Sequence, residues 1–68
     1  MAKMSLAAAR KNANLNQKDA ADRIGVSNKT LGKWEAGKTF PNALQIVKIC
    51  EAYGLGYDDI IFLPNSPL

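Results

Sequence analysis

Only three residues, Gly25-Val26-Ser27, separate two segments that both read as helix. Asn16 is placed to cap the first, Gln17 to Ile24, and Asp19 sits favourably in its first turn. Gly25 is a natural stop in the left-handed conformation. Ser27 caps the second, Asn28 to Ala36, and Gly37 ends it. Two helices joined through so short a glycine turn cannot run back alongside each other. They must cross steeply.

The rest of the chain reads as further helices around that crossing. Ser5 caps a first helix over residues 5–13, which places Leu6, Ala9 and Ala13 on one side, together with the charged Arg10. Asn14-Leu15-Asn16 is a turn, and Ala20, Ala21 and Ile24 form the apolar stripe of the second helix. Lys38-Thr39-Phe40-Pro41 is a loop, after which Asn42 and Gln45 form a capping-box pattern for a fourth helix reaching about Tyr53. Leu44, Ile46, Val47, Ile49, Cys50 and Tyr53 cover more than half of its circumference, so it is expected to be central and buried. Gly54 stops it. A short fifth helix is expected from about Tyr57 to Phe62, with Asp58 and Asp59 in its first turn. The reading is an all-α domain of five helices over residues 1–63 and a tail over 64–68.

Composition narrows the function classes. Sixty-eight residues make at most one domain, and a chain this short buries only about 60% of the surface it exposes when unfolded. With 47% apolar residues it is not a disordered tail. One cysteine and no histidine exclude an intramolecular disulfide and the usual zinc sites, so no metal or cofactor is expected. An enzyme is not expected either, since general acid–base chemistry lacks its usual players. No apolar run is long enough to span a membrane, and the start lacks a hydrophobic signal core. A cytoplasmic protein is the expectation.

Charge is unevenly spread. Residues 1–38 hold eight basic and three acidic residues, a balance of +5, and residues 39–68 hold one basic and three acidic, a balance of −2. One face is therefore expected to meet an anion.

The helical wheel of the third helix says which face. Leu31 and Trp34 point to one side, with Thr30 and Glu35 at its margins. Asn28, Lys29, Gly32, Lys33 and Ala36 share an opposite arc of roughly 140° that contains no acid. Asparagine can pair with adenine N6 and N7, and lysine can donate to guanine O6 and N7, in the DNA major groove. A merely solvated basic face is the other reading of this arc taken alone. The centre of the arc is nearly bare, being Gly32 beside Ala36. Either the missing side chain lets the helix backbone approach the base edges, or Gly32 is an ordinary surface residue.

The run LNQKDAADRIGVSNKTLGKWEAGKTFP resembles the helix-turn-helix of the phage lambda and 434 repressor and Cro family, also called the Xre family. The matching features are Gln17 opening helix two, Ala21 within it, the Gly25-Val26-Ser27 turn, Trp34-Glu35 with Gly37 closing helix three, and Pro41 before helix four. The likeness covers about residues 5–62. It implies a compact five-helix lambda-repressor-like domain whose helix three enters the major groove, and dimeric binding to a roughly palindromic operator. The implied base readers are Asn28, Lys29 and Lys33, with Gln17 supporting, and the implied backbone contacts are Asn16, Ser27, Lys38 and Thr39 beside Gln17 itself. Two departures stand out: position 32 usually carries a side chain in this family, and the loop after helix three has no arginine.

Other residues have their own readings. Arg10 on the inward side of helix one and Glu35 at the inward margin of helix three are expected to form a salt bridge, because charges near a core must be paired. Trp34, beside Leu31, is expected in the core rather than on a base, and Cys50 is expected to be an inert core thiol rather than a redox sensor. Leu55, Tyr57, Phe62 and Leu63 serve either as a dimer surface or as the lid of the core. The expected function is a sequence-specific DNA-binding regulator of phage or mobile-element repressor type, with double-stranded operator DNA and a second copy of itself as partners. The competing class is an antitoxin-type interaction module that also binds its own operator.

Overall fold

The computed structural model describes residues 3–62. A short strand β1 (Met4–Ser5) leads into α1 (Leu6–Asn12), α2 (Gln17–Ile24), α3 (Asn28–Glu35) and α4 (Ala43–Tyr53). A single 3-10 turn (Tyr57–Asp59) and a second strand β2 (Ile60–Ile61) follow.

Each helix begins where a short polar side chain can satisfy a free backbone N–H. Ser5 Oγ accepts from the Ala8 N–H, Asn16 Oδ1 from that of Asp19, Ser27 Oγ from that of Thr30 and Asn42 Oδ1 from that of Gln45. The capping box of α4 is complete, since Gln45 Oε1 accepts in return from the Asn42 N–H at 2.8 Å. Gly25 ends α2 at φ +89°, a conformation that costs a side-chain-bearing residue strain. Its N–H and that of Val26 both donate to the Ala21 carbonyl, at 2.8 and 3.0 Å, which turns the chain directly into the Ser27 cap.

The core lies where α1, α2, α3 and α4 meet. It is formed by Leu6, Ala9, Ala20, Ala21, Ile24, Leu31, Trp34, Ile49, Tyr53 and Ile60. Ala9, Ala20 and Ala21 are completely or almost completely buried, and their small size lets the helix backbones come close. Trp34 is in this core, 4% exposed, and takes no part in the outer surface.

Two expectations are corrected. The fifth helix does not form: after the turn at Tyr57–Asp59 the chain becomes extended, and Ile60–Ile61 pairs in parallel with Met4–Ser5, Met4 opposite Ile60 and Ser5 opposite Ile61. Asp59 supports the single turn, its Oδ2 accepting from the Gly56 N–H at 2.9 Å. Beyond it, two consecutive β-branched residues favour a strand, and Pro64 leaves no room for a helix to lengthen. The four-helix domain is therefore closed by a strand pair that ties both ends of the described chain together.

The second correction concerns α4. Only Ile49 and Tyr53 are buried, whereas Leu44 is 64% and Val47 51% exposed. The helix packs against α1, α2 and the 3-10 turn. These short neighbours cover a stripe narrower than its apolar arc, and Leu44 and Val47 fall outside it. Leu63 and the expected tail over 64–68 lie outside the described residues.

Candidate nucleic-acid interface

The cap at Ser27 and the burial of Leu31 and Trp34 fix how α3 is rolled on the body. The opposite side is therefore presented outward. Asn28, Lys29, Lys33 and Ala36 are exposed, and so are Lys38 and Thr39 just beyond the helix. Lys29, Lys33 and Lys38 form no ion pair with any described residue, the two ion pairs being Arg10–Glu35 and the exposed Lys18–Asp22 at 3.6 Å. Three unneutralised ammonium groups on and beside one helix face make a surface suited to phosphate and to the acceptor edges of bases.

The two cap residues are partly committed. Ser27 Oγ accepts from the Thr30 N–H at 3.0 Å and donates to Thr30 Oγ1 at 2.9 Å. Asn16 spends its Oδ1 on the cap and keeps its side-chain NH2 free to donate.

Behind this face lies a polar cluster joining three helices. Arg10 Nε donates to Glu35 Oε2 at 2.7 Å and Nη2 to Glu35 Oε1 at 3.3 Å, while Nη1 donates to the Leu15 carbonyl at 2.9 Å. The side chains of the pair are only 12% and 9% exposed. The structure thus brings Arg10 and Glu35 together, and the guanidinium pKa is raised, chiefly by its hydrogen bond to Glu35. Gln17 joins the cluster, its Nε2 donating to Glu35 Oε1 at 3.1 Å. The helical wheel of α2 places Gln17 on the apolar stripe at the end that faces α3, where a satisfied glutamine is the alternative to a DNA contact, but it does not show that Glu35 is the partner. The wheel of α3 leaves Gly32 bare, whereas in the structure Gly32 is half-buried and its neighbour is the Gln17 amide.

Two other groups have plain roles. The Tyr53 hydroxyl is buried and finds no partner among the described residues, and burial, with the Glu35 charge, pushes its pKa up to about 12. Cys50, expected in the core, is only half-buried; burial, followed by the charge of Asp59, raises its thiol pKa. Among the described residues no group of three or more His, Cys, Asp and Glu could hold a metal ion, and no helix is long and apolar enough to cross a membrane.

The surface expected between copies is only partly laid out. Tyr57 is 62% exposed and stacks on Phe62 with ring centroids 5.4 Å apart, and Leu55 is half-buried against the core. Phe40 in the loop before α4, and Leu44 and Val47 on α4, are all more than half exposed, and the reading of α4 as buried did not anticipate the last two.

The helix-turn-helix sequence profile matches residues 6–60, from the start of α1 to the first residue of β2. The chain belongs to the Cro/C1-type helix-turn-helix family. Among solved structures it is similar to the DNA-binding domain of the P22 C2 repressor (residues 1–76) determined in solution by nuclear magnetic resonance. The TM-score is 0.74 at 28% identity, over 78% of this chain and 70% of that one. No curated protein matches. As a helix-turn-helix protein of this family, the chain is a DNA-binding transcription regulator.

Proposed function

We propose that this helix-turn-helix protein is a sequence-specific repressor of phage or mobile-element type, which binds a pseudo-palindromic operator as two copies with α3 in the major groove. The observation that carries the reading is the outward face of α3. It offers Asn28, Lys29 and Lys33 unpaired and solvent-exposed, on a helix whose opposite side is locked into the core by Leu31 and Trp34.

In this reading Asn28, Lys29 and Lys33 contact base edges with Gln17 beside them, and Lys38, Thr39, Asn16 and Ser27 hold the backbone. Since the Ser27 hydroxyl is engaged with Thr30, Asn16 and Lys38 are the stronger phosphate donors. Tyr57 and Phe62, with Leu55 and Leu63, supply the contact between copies. The similarity to a phage repressor's DNA-binding domain supports the repressor assignment.

Selection of bound duplexes from a random pool tests the proposal. The expected result is one enriched motif with two related half-sites. Retention of the pool without enrichment would leave a non-specific binder and overturn the reading.

One observation favours the antitoxin-type alternative: Phe40, Leu44 and Val47 form exposed apolar surface that the contact proposed between copies does not use. That alternative predicts operator binding together with a tight heterologous complex that shields these three residues from solvent.

A further inference from the structure

We propose that the groove between the C-terminal end of α2 and the second half of α4 is a docking site for an acidic segment of a partner protein, held by Arg23 and Lys48. The site goes beyond the DNA-binding reading and holds whichever sequence α3 reads.

The groove has a volume of about 430 Å³ and is lined by Arg23, Ile24, Gly25, Lys48, Glu51 and Ala52. It exists because two positions along it are small. Gly25 ends α2 without a side chain, and Ala52 supplies only a methyl group from α4. Ile24, 1% exposed, forms the apolar floor.

Two cations from different helices meet there. Lys48 stands three residues before Glu51 on α4, a spacing at which opposite charges can pair. The two do not form an ion pair. The Lys48 ammonium instead lies 3.9 Å from the place of a Gly25 Cβ, over the turn that joins α2 to α3. The negative end of the α2 dipole favours a cation in that position. Arg23, on the last turn of α2, also forms no ion pair with any described residue. Both cations are exposed and free to take an added carboxylate, which a guanidinium fork grips with two parallel hydrogen bonds.

The form of the groove selects the occupant. A small ligand is held well where most of its surface is enclosed. Here one side is open and the charged walls are exposed, so a free anion stays largely in water. A segment of a folded partner needs no such enclosure, because its protein adds contacts beside the groove. Its carboxylates meet Arg23 and Lys48, and a small apolar residue between them meets Ile24 and Ala52. Glu51 disfavours a DNA backbone. Its carboxylate stands on the groove wall, and Asp22 precedes Arg23 on the exposed side of α2, whereas the outward arc of α3 contains no acid. Toward a peptide, Glu51 can accept from a backbone N–H, a donor that the phosphate backbone lacks. The groove adjoins the turn at Gly25 and includes none of the residues proposed to touch DNA, so partner and operator can bind together.

The test follows the amide NMR signals of the full chain, free and on its selected duplex. The probes are a synthetic peptide of alternating Glu and Ala, free glutamate and inorganic phosphate. The peptide is expected to shift Arg23, Gly25, Lys48 and Ala52 saturably in both states, and the two small anions to shift them far less. Arg23→Gln and Lys48→Gln should each weaken the peptide about threefold, and together about tenfold, as exposed ion pairs do. Affinity for the duplex should not change, and Glu51→Gln should tighten the peptide. The same spectra confirm that each variant is folded. Peptide shifts confined to the lysines of α3, or undiminished in the double variant, would overturn the inference. Free glutamate or phosphate binding as tightly as the peptide would make the groove a small-anion site and overturn it too. So would an equal loss of duplex affinity in the double variant, which would place the groove on DNA. Self-association in sedimentation that the double variant abolishes would put a second copy there instead of a partner. If the chain selects no duplex, the DNA-binding reading falls, and the titration of the free chain still decides this one.

Discussion

Arg10 and Glu35 keep little contact with water, so removing either one strands the other. Arg10→Met should cost about 3 kcal/mol in urea unfolding, the lower end of what a broken buried pair costs, because a small part of each side chain stays wet. A variant as stable as the wild type would mean that the pair contributes nothing net. Tyr53 makes a second residue-scale prediction. Its hydroxyl is pushed up to about 12, against about 10 in an unfolded chain. Between those values the unfolded chain releases the phenolic proton while the folded one keeps it. The folded state then binds more protons, so stability is intact below about pH 10 and falls as pH rises toward 12, by on the order of 2 kcal/mol. Tyr53→Phe removes that slope together with a buried hydroxyl that has no described partner, so it should match or exceed the wild type at pH 8 and outlast it at pH 11. Parallel alkaline losses in the two proteins would contradict this.

At the scale of elements, two glycines behave oppositely. Gly25 sits at φ +89°, with only the end of the Lys48 side chain 3.9 Å from the place of a Cβ. The cost of Gly25→Ala is therefore backbone strain, about 1–2 kcal/mol. Gly32 lies within α3 with ordinary contacts, so Gly32→Ala should gain up to about 1 kcal/mol from helix propensity. Thermal melts should move in opposite directions, by about 4–8 °C per kcal/mol for a domain of this size. What was legible in the sequence follows the same distinction between local and distant causes. Caps at Ser5, Asn16, Ser27 and Asn42 could be read because donor and acceptor lie three residues apart. The strand at Ile60–Ile61 could not, since its partner Met4–Ser5 lies at the other end of the chain. The exposure of Leu44 and Val47 depends on which neighbours α4 meets, and a wheel of one helix does not contain that. In the site, the inward charge of Arg10 announced a partner. The third member, Gln17, and its place over Gly32 depend on three helices packing together.

At the scale of the whole molecule, the proposed binding of two copies to one operator sets a spacing against which the protein is small. It measures 33 × 24 × 20 Å, and half-site centres one helical turn apart are about 34–36 Å from each other. Two copies on one face of DNA therefore touch over a narrow strip at most. Such a strip holds copies together on DNA, where binding has already aligned them, and is too small to hold them free at micromolar concentration. Sedimentation should show monomers alone and two copies on the selected duplex. A single copy on that duplex would contradict the symmetric arrangement.

The central claim is that α3 reads sequence while the residues around it hold the backbone, and salt-dependent binding of three variants tests it most directly. Lys38→Ala should weaken selected and random duplexes alike and flatten the plot of log affinity against log salt by about one unit per copy. Asn28→Ala and Lys29→Ala should instead lose about 1–3 kcal/mol of discrimination, each at its own base pairs. Equal weakening of selected and random DNA by all three changes would show that the outward face of α3 does not read sequence.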